Sequence, residues 1–446
     1  MISPTNRLLM FTGCIAVPFA AIGVMLPEYG LASALALAAF VCLAIMDAVA
    51  ATGTQDGIRV VLPEVVRMSK DRESEIAITL HNEQQRSRVL RLGLPWPREF
   101  VAEGEDLLTT LPTESSQALT GWNCTPLKRG NYRLRECFRE TASPAGLWNY
   151  RTRQELASEL RVYPNLMTER RNVAALFLNR GAFGVHAQRL VGQGRDFEKL
   201  REYIPGDSYE EIHWKATAKR GKPVTKIFQM ERTQEVYVVL DCSRLTAREV
   251  QLSDGGGMVS TLERFITASL ILGLAAERQG DLFGLMTFSD RVLSFVRAKN
   301  GKAHYAHCRD ALYTLHPQSV SPDFEEMATF IRLRLRRRAL VIFLTALDDP
   351  VLAEQFTRGM DLLSRQHLIM VNMLPSPGIK PLFSGDSAES VSDIYQNLGG
   401  HMLWQNLREL EKVLQRRGVK FSLLENERMS AQLVTQYLNV KRRQLI

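Results

Sequence analysis

Hydrophobic positions are unevenly spread along this chain. Leu8 to Leu26 is one apolar run and Leu31 to Ala51 is another, each about as long as the roughly 20 residues a helix needs to cross a bilayer. Only Pro27, Glu28, Tyr29 and Gly30 stand between them, which predicts a tight helical hairpin over 1–55 with both ends on one side of the membrane. Arg7 precedes the first run, Arg59 and Arg67 follow the second, and the turn has no Lys or Arg. Positive-inside bias therefore predicts that both termini face the cytoplasm. A cleaved signal peptide is the competing reading of the first run, and the immediate second span argues against it. Asp47, near the cytoplasmic end of the second run, reads as an interfacial carboxylate.

After the spans the pattern shortens. Ile58–Leu62, Glu75–Leu80, Arg88–Leu92, Tyr132–Phe138 and Leu160–Val162 are brief, often alternating and separated by polar or Gly/Pro breaks, the pattern of a small antiparallel β domain over 56–165. Trp96, Trp122 and Trp148 read as packing aromatics in it. Residues 166–234 form a connector, opening with a possible helical face at Val173, Ala174, Leu176 and Phe177. From 235 on the period changes again. Glu235–Asp241 is near-continuously apolar and ends in an acid, as in a strand buried on both faces of a parallel sheet. Leu282–Phe288, Ala339–Thr345, His367–Leu374 and Val419–Leu424 repeat the pattern between helical segments. Five strands and their helices predict a doubly wound α/β domain over 235–446, whose ligands would gather at the carboxyl edge near Asp241. Ile331–Arg338 alternates apolar residues with Arg, but the crossover needed here predicts a helix end.

The most particular stretch lies in the connector, from Gly194 to Lys219. Pro205 and Gly206 mark a turn with Asp207 at its corner, where the carboxylate can cap the run Ser208–Trp214. Phe197, Leu200, Tyr203, Ile212 and Trp214 are apolar anchors among interleaved charges. The set Phe197, Leu200-Arg201-x-Tyr203, Gly206-Asp207, Ile212-His213-Trp214-Lys215 and Ala218 closely resembles the signature of the bacterial family called domain of unknown function fifty-eight. The resemblance continues through Glu231, Asp241 and Ser243, the stretch GDLFGLMTFSDRV from Gly280 and the closing run Gln436–Lys441. Weaker markers, Arg129-Gly130-x-Tyr132, Ser143-Pro144 with Gly146-Leu147-Trp148, and Val162–Asn165, look like those of the family's β-sandwich.

With the two N-terminal transmembrane helices read from the apolar runs, the resemblance implies a small β-sandwich and then an α/β von Willebrand factor A-like (doubly wound) domain, tethered to the bacterial cytoplasmic (inner) membrane. It also implies a MoxR-type AAA+ ATPase as partner, with an unknown client protein. The signature residues Phe197, Arg201, Tyr203, Gly206, Asp207, His213, Trp214 and Lys215 would then form an interaction surface. In the von Willebrand A fold the first strand edge bears Asp-x-Ser-x-Ser, completed by a Thr and an Asp from later loops, because Mg²⁺ takes oxygen ligands. Asp241 and Ser243 are present, but Leu245 stands where the last Ser belongs. Ser321-Pro322-Asp323-Phe324 lacks the Thr, and Asp348 or Asp349 supplies the last acid. Asp241, Ser243 and Asp348 are thus a degenerate metal set, expected to hold Mg²⁺ weakly, with Asp241 as a loop cap the alternative.

Composition changes little: of 446 residues 45% are hydrophobic and 23% charged, enough for several globular domains. The formal net charge of +8 suits a membrane-facing surface, and no zinc-finger, RNP-like or homeodomain pattern points to nucleic acid. Six scattered cysteines, with no CxxC, signal neither a zinc site nor a disulfide framework. No P-loop, Gly-x-Ser-x-Gly elbow or His-Glu-x-x-His appears. The expectation is a membrane-anchored adaptor with no catalytic residues. The alternatives are a metal-assisted hydrolase using Asp241 and Asp348, or a basic surface for anionic lipid or nucleic acid.

Overall fold

The computed structural model describes the chain except residues 86, 113–114, 168, 172–173, 175–190, 206–207, 230–233, 252–256, 377, 383, 385–389 and 444–446, and except the side chains of 191–199 and 227–229. The chain divides into two compact units, Met1–Asn165 and Leu166–Ile446.

In the first unit the two apolar runs are helices, Asn6–Met25 and Pro27–Ala51, long and apolar enough to cross a membrane. Their large side chains point outward, with Val24 at 82%, Leu31 at 78% and Val49 at 66% exposure, which water would penalise and lipid would not. The first helix contains a π turn at Thr12–Ala16. It lies just before Pro18, which has no N–H to donate to the preceding turn. The hairpin closes where Gly23 faces Ser33, since a Cβ there would come within 3.2 Å of the Ser33 Cβ.

The rest of the unit is a pair of sheets. One runs Ile2–Pro4, Trp148–Tyr163, Gly130–Ala142, Arg88–Gly93, Leu107–Leu111, with Val65–Ser69 also on Trp148–Tyr163. The other runs Ile58–Val61, Ser74–Asn82, Gln117–Pro126, Phe100–Ala102. Strict alternation, as in the pattern buried at Ile76, Ile78 and Leu80, sends one face of each sheet into a shared core with Leu90, Leu92, Trp122, Leu134 and Val162. The expectation of a purely antiparallel domain needs one correction. Val65–Ser69 runs parallel to Glu159–Tyr163, reached by a crossover rather than a hairpin. Cys124 and Cys137 lie in different sheets of the one core, and burial raises both thiols to about 11.

The second unit centres on a six-stranded sheet. Its strands are β1 (Glu235–Asp241), β2 (Leu282–Phe288), β3 (Val292–Lys299), β4 (Leu340–Leu344), β5 (Leu368–Met373) and β6 (Lys420–Leu423). Their order is β3-β2-β1-β4-β5-β6. All pairs are parallel except β2 with β3. Six strands therefore replace the five expected, because β3 follows β2 through a short antiparallel hairpin with no helix between them. The helices are α1 (Thr261–Arg278), α2 (Lys302–Leu312), α3 (Phe324–Arg334), α4 (Pro350–Leu363), α5 (Val391–Arg416) and α6 (Met429–Arg442).

Alternation along β1 decides which helices cover which face. Val236, Val238 and Leu240 pack with α1, α2 and α6, and Tyr237 and Val239 pack with α3, α4 and α5. This doubly wound arrangement, with one antiparallel edge strand, is von Willebrand factor A-like. The arginine-rich segment is helical through Arg334, with Arg332 and Arg334 in the last turn, where cations offset the helix dipole. At the amino end of the sheet α6 is pinned by buried Asp281. Lys441 Nζ lies 2.8 Å from its carboxylate, which also accepts from the Tyr437 hydroxyl and, at 3.2 Å, from the Gln234 N–H.

Candidate functional site

β1 delivers Asp241 to the carboxyl edge of the sheet at 0% exposure. The chain then turns at once. Asp241 Oδ1 accepts the Ser243 N–H at 2.8 Å, and Ser243 Oγ accepts the Leu245 N–H at 3.3 Å, starting the short turn Arg244–Ala247. From the end of β4, Thr345 donates its hydroxyl to Asp241 Oδ2 at 2.6 Å. Burial pushes the Asp241 carboxyl above its ordinary range, while the hydrogen bonds from Thr345 and Ser243 pull the other way.

The remaining expected ligands have other occupations. Asp323 caps α3 by accepting the N–H groups of Glu325 and Glu326 at 3.0 and 2.9 Å, and Ser321 Oγ accepts from Arg244 Nε at 3.1 Å. Asp349 caps α4 through the Val351 N–H at 2.9 Å. Asp348 Oδ2 lies 2.8 Å from Arg248 Nη2 and also accepts from the Ser376 hydroxyl. Arg248 is the residue that sequence reasoning missed. Its signal was present in Arg244 and Arg248, two cations within a loop that should hold a cation of its own.

A von Willebrand A fold implies Mg²⁺ at this edge, and Mg²⁺ demands a near-octahedral shell of oxygens. Here both Asp241 oxygens already accept hydrogen bonds, Leu245 is apolar, and Asp348 is neutralised by a guanidinium. Among the described residues no three His, Cys, Asp or Glu side chains converge. The donors present do not fit that shell.

The signature stretch makes a second constellation. Val191–Glu202 pairs antiparallel with Val224–Gln229, setting Phe197 opposite Phe228 and Arg201 opposite Thr225; the Phe197 side chain lies outside the described residues. Arg201 is half-buried. Tyr203 donates its N–H to the Pro223 carbonyl at 2.9 Å and stacks on Tyr209 with centroids 6.0 Å apart. Gly206 and Asp207 lie outside the described residues, and with them the expected cap at Asp207. The caps that are described come from other side chains. Ser208 accepts the Glu210 N–H at 3.4 Å above the turn Tyr209–Glu211. His213 Nδ1 accepts the Ala216 N–H at 3.0 Å and so caps the helix Trp214–Arg220. That bond uses the Nδ1 lone pair as acceptor.

Buried Ile212 bridges to Thr225 and ties this helix to the hairpin. The same geometry turns other apolar groups outward: Tyr209 is 76%, Trp214 69% and Ile204 50% exposed, and Lys215 is exposed beside Trp214. The structure thus gathers Asp241, Ser243 and Thr345 in a sealed turn, holds Asp348 on Arg248, and displays Trp214 and Lys215 on a hairpin.

Residues 199–376 match the family described as "Protein of unknown function DUF58". No curated protein matches the chain. Among solved structures the chain is similar to an aerotolerance-related membrane protein from Bacteroides fragilis NCTC 9343, at 13% identity over 46% of this chain and 98% of that one, TM-score 0.29. It is also similar to the conserved hypothetical protein BatB from Bacteroides thetaiotaomicron, at 15% identity over 47% and 99%, TM-score 0.30. A third likeness is to the SpRpn10 VWA domain, at 10% identity over 46% and 95%, TM-score 0.29. The fold assignment stands on the strand order, not on these likenesses.

Proposed function

We propose, from the premise that this chain is a DUF58 protein through residues 199–376, that it works as a membrane-anchored adaptor. In this reading the hairpin holds it in a bacterial inner membrane with both termini in the cytoplasm, following the placement of Arg7, Arg59 and Arg67. The signature hairpin, the von Willebrand A-like domain or both are touched by a MoxR-type AAA+ ATPase acting on a client protein. The hairpin over 1–55, the sandwich over 56–165, the connector over 166–234 and the α/β domain over 235–446 are its working parts.

The observation that carries the reading is the outward display of Trp214, Tyr209 and Ile204 on the signature segment. Exposed aromatics beside a cation are the residue types that dominate binding energy at protein interfaces. The hydrolase alternative draws no comparable support, since Asp241 is sealed from solvent.

The test is reconstitution. The full chain in lipid nanodiscs is titrated with a purified MoxR-type ATPase, and Trp214→Ala, at a side chain 69% exposed, is expected to weaken the complex by about tenfold or more with an unchanged melting temperature. Absence of binding by the unaltered chain, or equal binding by the Trp214→Ala protein, overturns the proposal.

A further inference from the structure

The opposite end of β1 carries a different chemistry. Asp241 and Glu235 are six residues apart on an extended strand, roughly 20 Å at the rise of a β-strand, so this end is remote from the sealed turn. Beside Glu235 lies a cavity of about 380 Å³ whose rim holds Arg297, Arg334, Arg336 and Arg337. These come from separate places: Arg297 from β3, Arg334 from the end of α3, and Arg336 and Arg337 from the link into β4. All four are exposed. None has an ion-pair partner among the described residues; Arg334 lies over the Phe330 ring at 5.6 Å.

The helix dipole accounts for Arg332 and Arg334. It does not account for Arg297, Arg336 and Arg337 meeting Arg334 around one cavity. Like charges gathered around one cavity repel, and an arriving anion relieves that repulsion. The guanidinium also matches carboxylate geometry with two parallel N–H bonds.

The rest of the wall narrows the ligand. Tyr237 and Phe295 stack with centroids 5.9 Å apart, and Leu333 stands 69% exposed at the rim. Glu235 is the one acid of the wall among the described residues, its Oε2 accepting from the Tyr237 hydroxyl at 3.4 Å. A polymer bearing a phosphate at every step would meet that carboxylate and leave Leu333 uncovered. A chain that alternates acidic and apolar side chains satisfies both.

We propose that this arginine-rimmed cavity is a docking site for an acidic polypeptide segment of a partner protein, its carboxylates on Arg297, Arg334, Arg336 and Arg337 and an apolar side chain against Leu333 and Phe295. It uses a surface apart from the signature hairpin, so either site can fail without the other.

The probe is a fluorescein-labelled peptide of twelve residues alternating glutamate with leucine, titrated by anisotropy against the full chain in nanodiscs. Arg334→Glu/Arg336→Glu is expected to weaken binding by about tenfold or more. Lys412→Glu/Arg416→Glu on α5, an equal change of charge elsewhere, is expected to leave it nearly unaltered. Equal losses in the two double variants would reduce the effect to net charge and overturn the proposal. So would equal binding of a peptide alternating glutamate with serine, or tighter binding of a twelve-nucleotide single strand. A readout independent of variants is arginine modification by hydroxyphenylglyoxal: the peptide should protect Arg334, Arg336 and Arg337 in the unaltered chain, and failure to protect them counts equally against the site.

Discussion

The Ser143 hydroxyl donates to Asp47 Oδ2 at 2.5 Å, joining the last turns of the second apolar helix to a turn of the sandwich 96 residues away. The same carboxylate accepts the N–H groups of Ala145 at 2.9 Å and Leu147 at 3.2 Å, and Trp148 Nε1 donates to the Ala44 carbonyl at 2.8 Å. Asp47 is therefore the fastening of the hairpin to the sandwich. Asp47→Ala strands one hydroxyl and two amides, and should cost about 1–3 kcal/mol in thermal unfolding of the detergent-solubilised chain. Ser143→Ala should cost less, and the double variant should fall short of the sum because the two share one bond.

At the sheet edge the informative comparison is Asp241→Asn against Asp241→Ala. Asn keeps an acceptor for the Ser243 N–H and a donor toward Thr345, whereas Ala leaves both partners dry, so Asn should be the more stable by about 1–3 kcal/mol. The pH dependence has a definite sign. Because the folded-state pKa of Asp241 is raised by burial, its contribution is fully present below the ordinary carboxylate value, about 4, and is lost as pH rises through the folded value. Stability of the native chain relative to Asp241→Asn should therefore fall as pH rises above that value, measured by denaturant midpoints. Calorimetry with Mg²⁺ should show no binding tighter than the millimolar range.

His367 acts in the other direction. It directly precedes β5 at 3% exposure, and neither ring nitrogen has a hydrogen-bond partner among the described residues. Burial lowers its pKa below 6.5. The neutral ring is thus favoured in the fold, and its contribution is intact above the unfolded value and lost as pH falls toward the folded one. His367→Leu should flatten the acid limb of the stability curve below about 6.5, by no more than about 1.4 kcal/mol per pH unit.

Gly284 in β2 has no room for a methyl group. A Cβ there would sit 2.3 Å from Tyr237 Cε1 and 2.9 Å from the Ala298 amide nitrogen. The ring cannot swing aside, because the Tyr237 hydroxyl accepts from that amide at 3.2 Å and stacks on Phe295. Gly284→Ala should cost about 1–3 kcal/mol by chemical denaturation, and should also disturb the arginine-rimmed cavity that Tyr237 lines.

What could be read ahead followed from period and length. The two spans and strands β1, β2, β4, β5 and β6 announced themselves as apolar runs between breaks. β3 did not: Val292 to Lys299 mixes Ser294, Arg297 and Lys299 among apolar residues, as an edge strand does, and a helix was expected after β2. Gln117–Pro126 was missed for the same reason, being rich in polar positions, and Val65–Ser69 because it is only five residues long. In the site, Asp241 and Ser243 were legible because an acid ending a buried strand must find donors in the next turn. The Arg248–Asp348 pair spans 100 residues, and only folding brings it together. His213 as a helix cap was hidden by chemistry, because a histidine seldom takes the place usually held by Ser, Thr, Asp or Asn.

The attachment of the hairpin has a mechanical outcome. Ile2–Pro4 extends the sandwich sheet by pairing with Trp148–Tyr150, and Thr5 donates its N–H to the Leu147 carbonyl at 3.0 Å, so the entry of the first helix and the exit of the second are fastened to the same corner. No swivel is left at that joint. When the bilayer thins or the rods lean, the movement becomes torque on the β-sheets, and a pull applied to the sandwich would reach the lipid by the same stiff route.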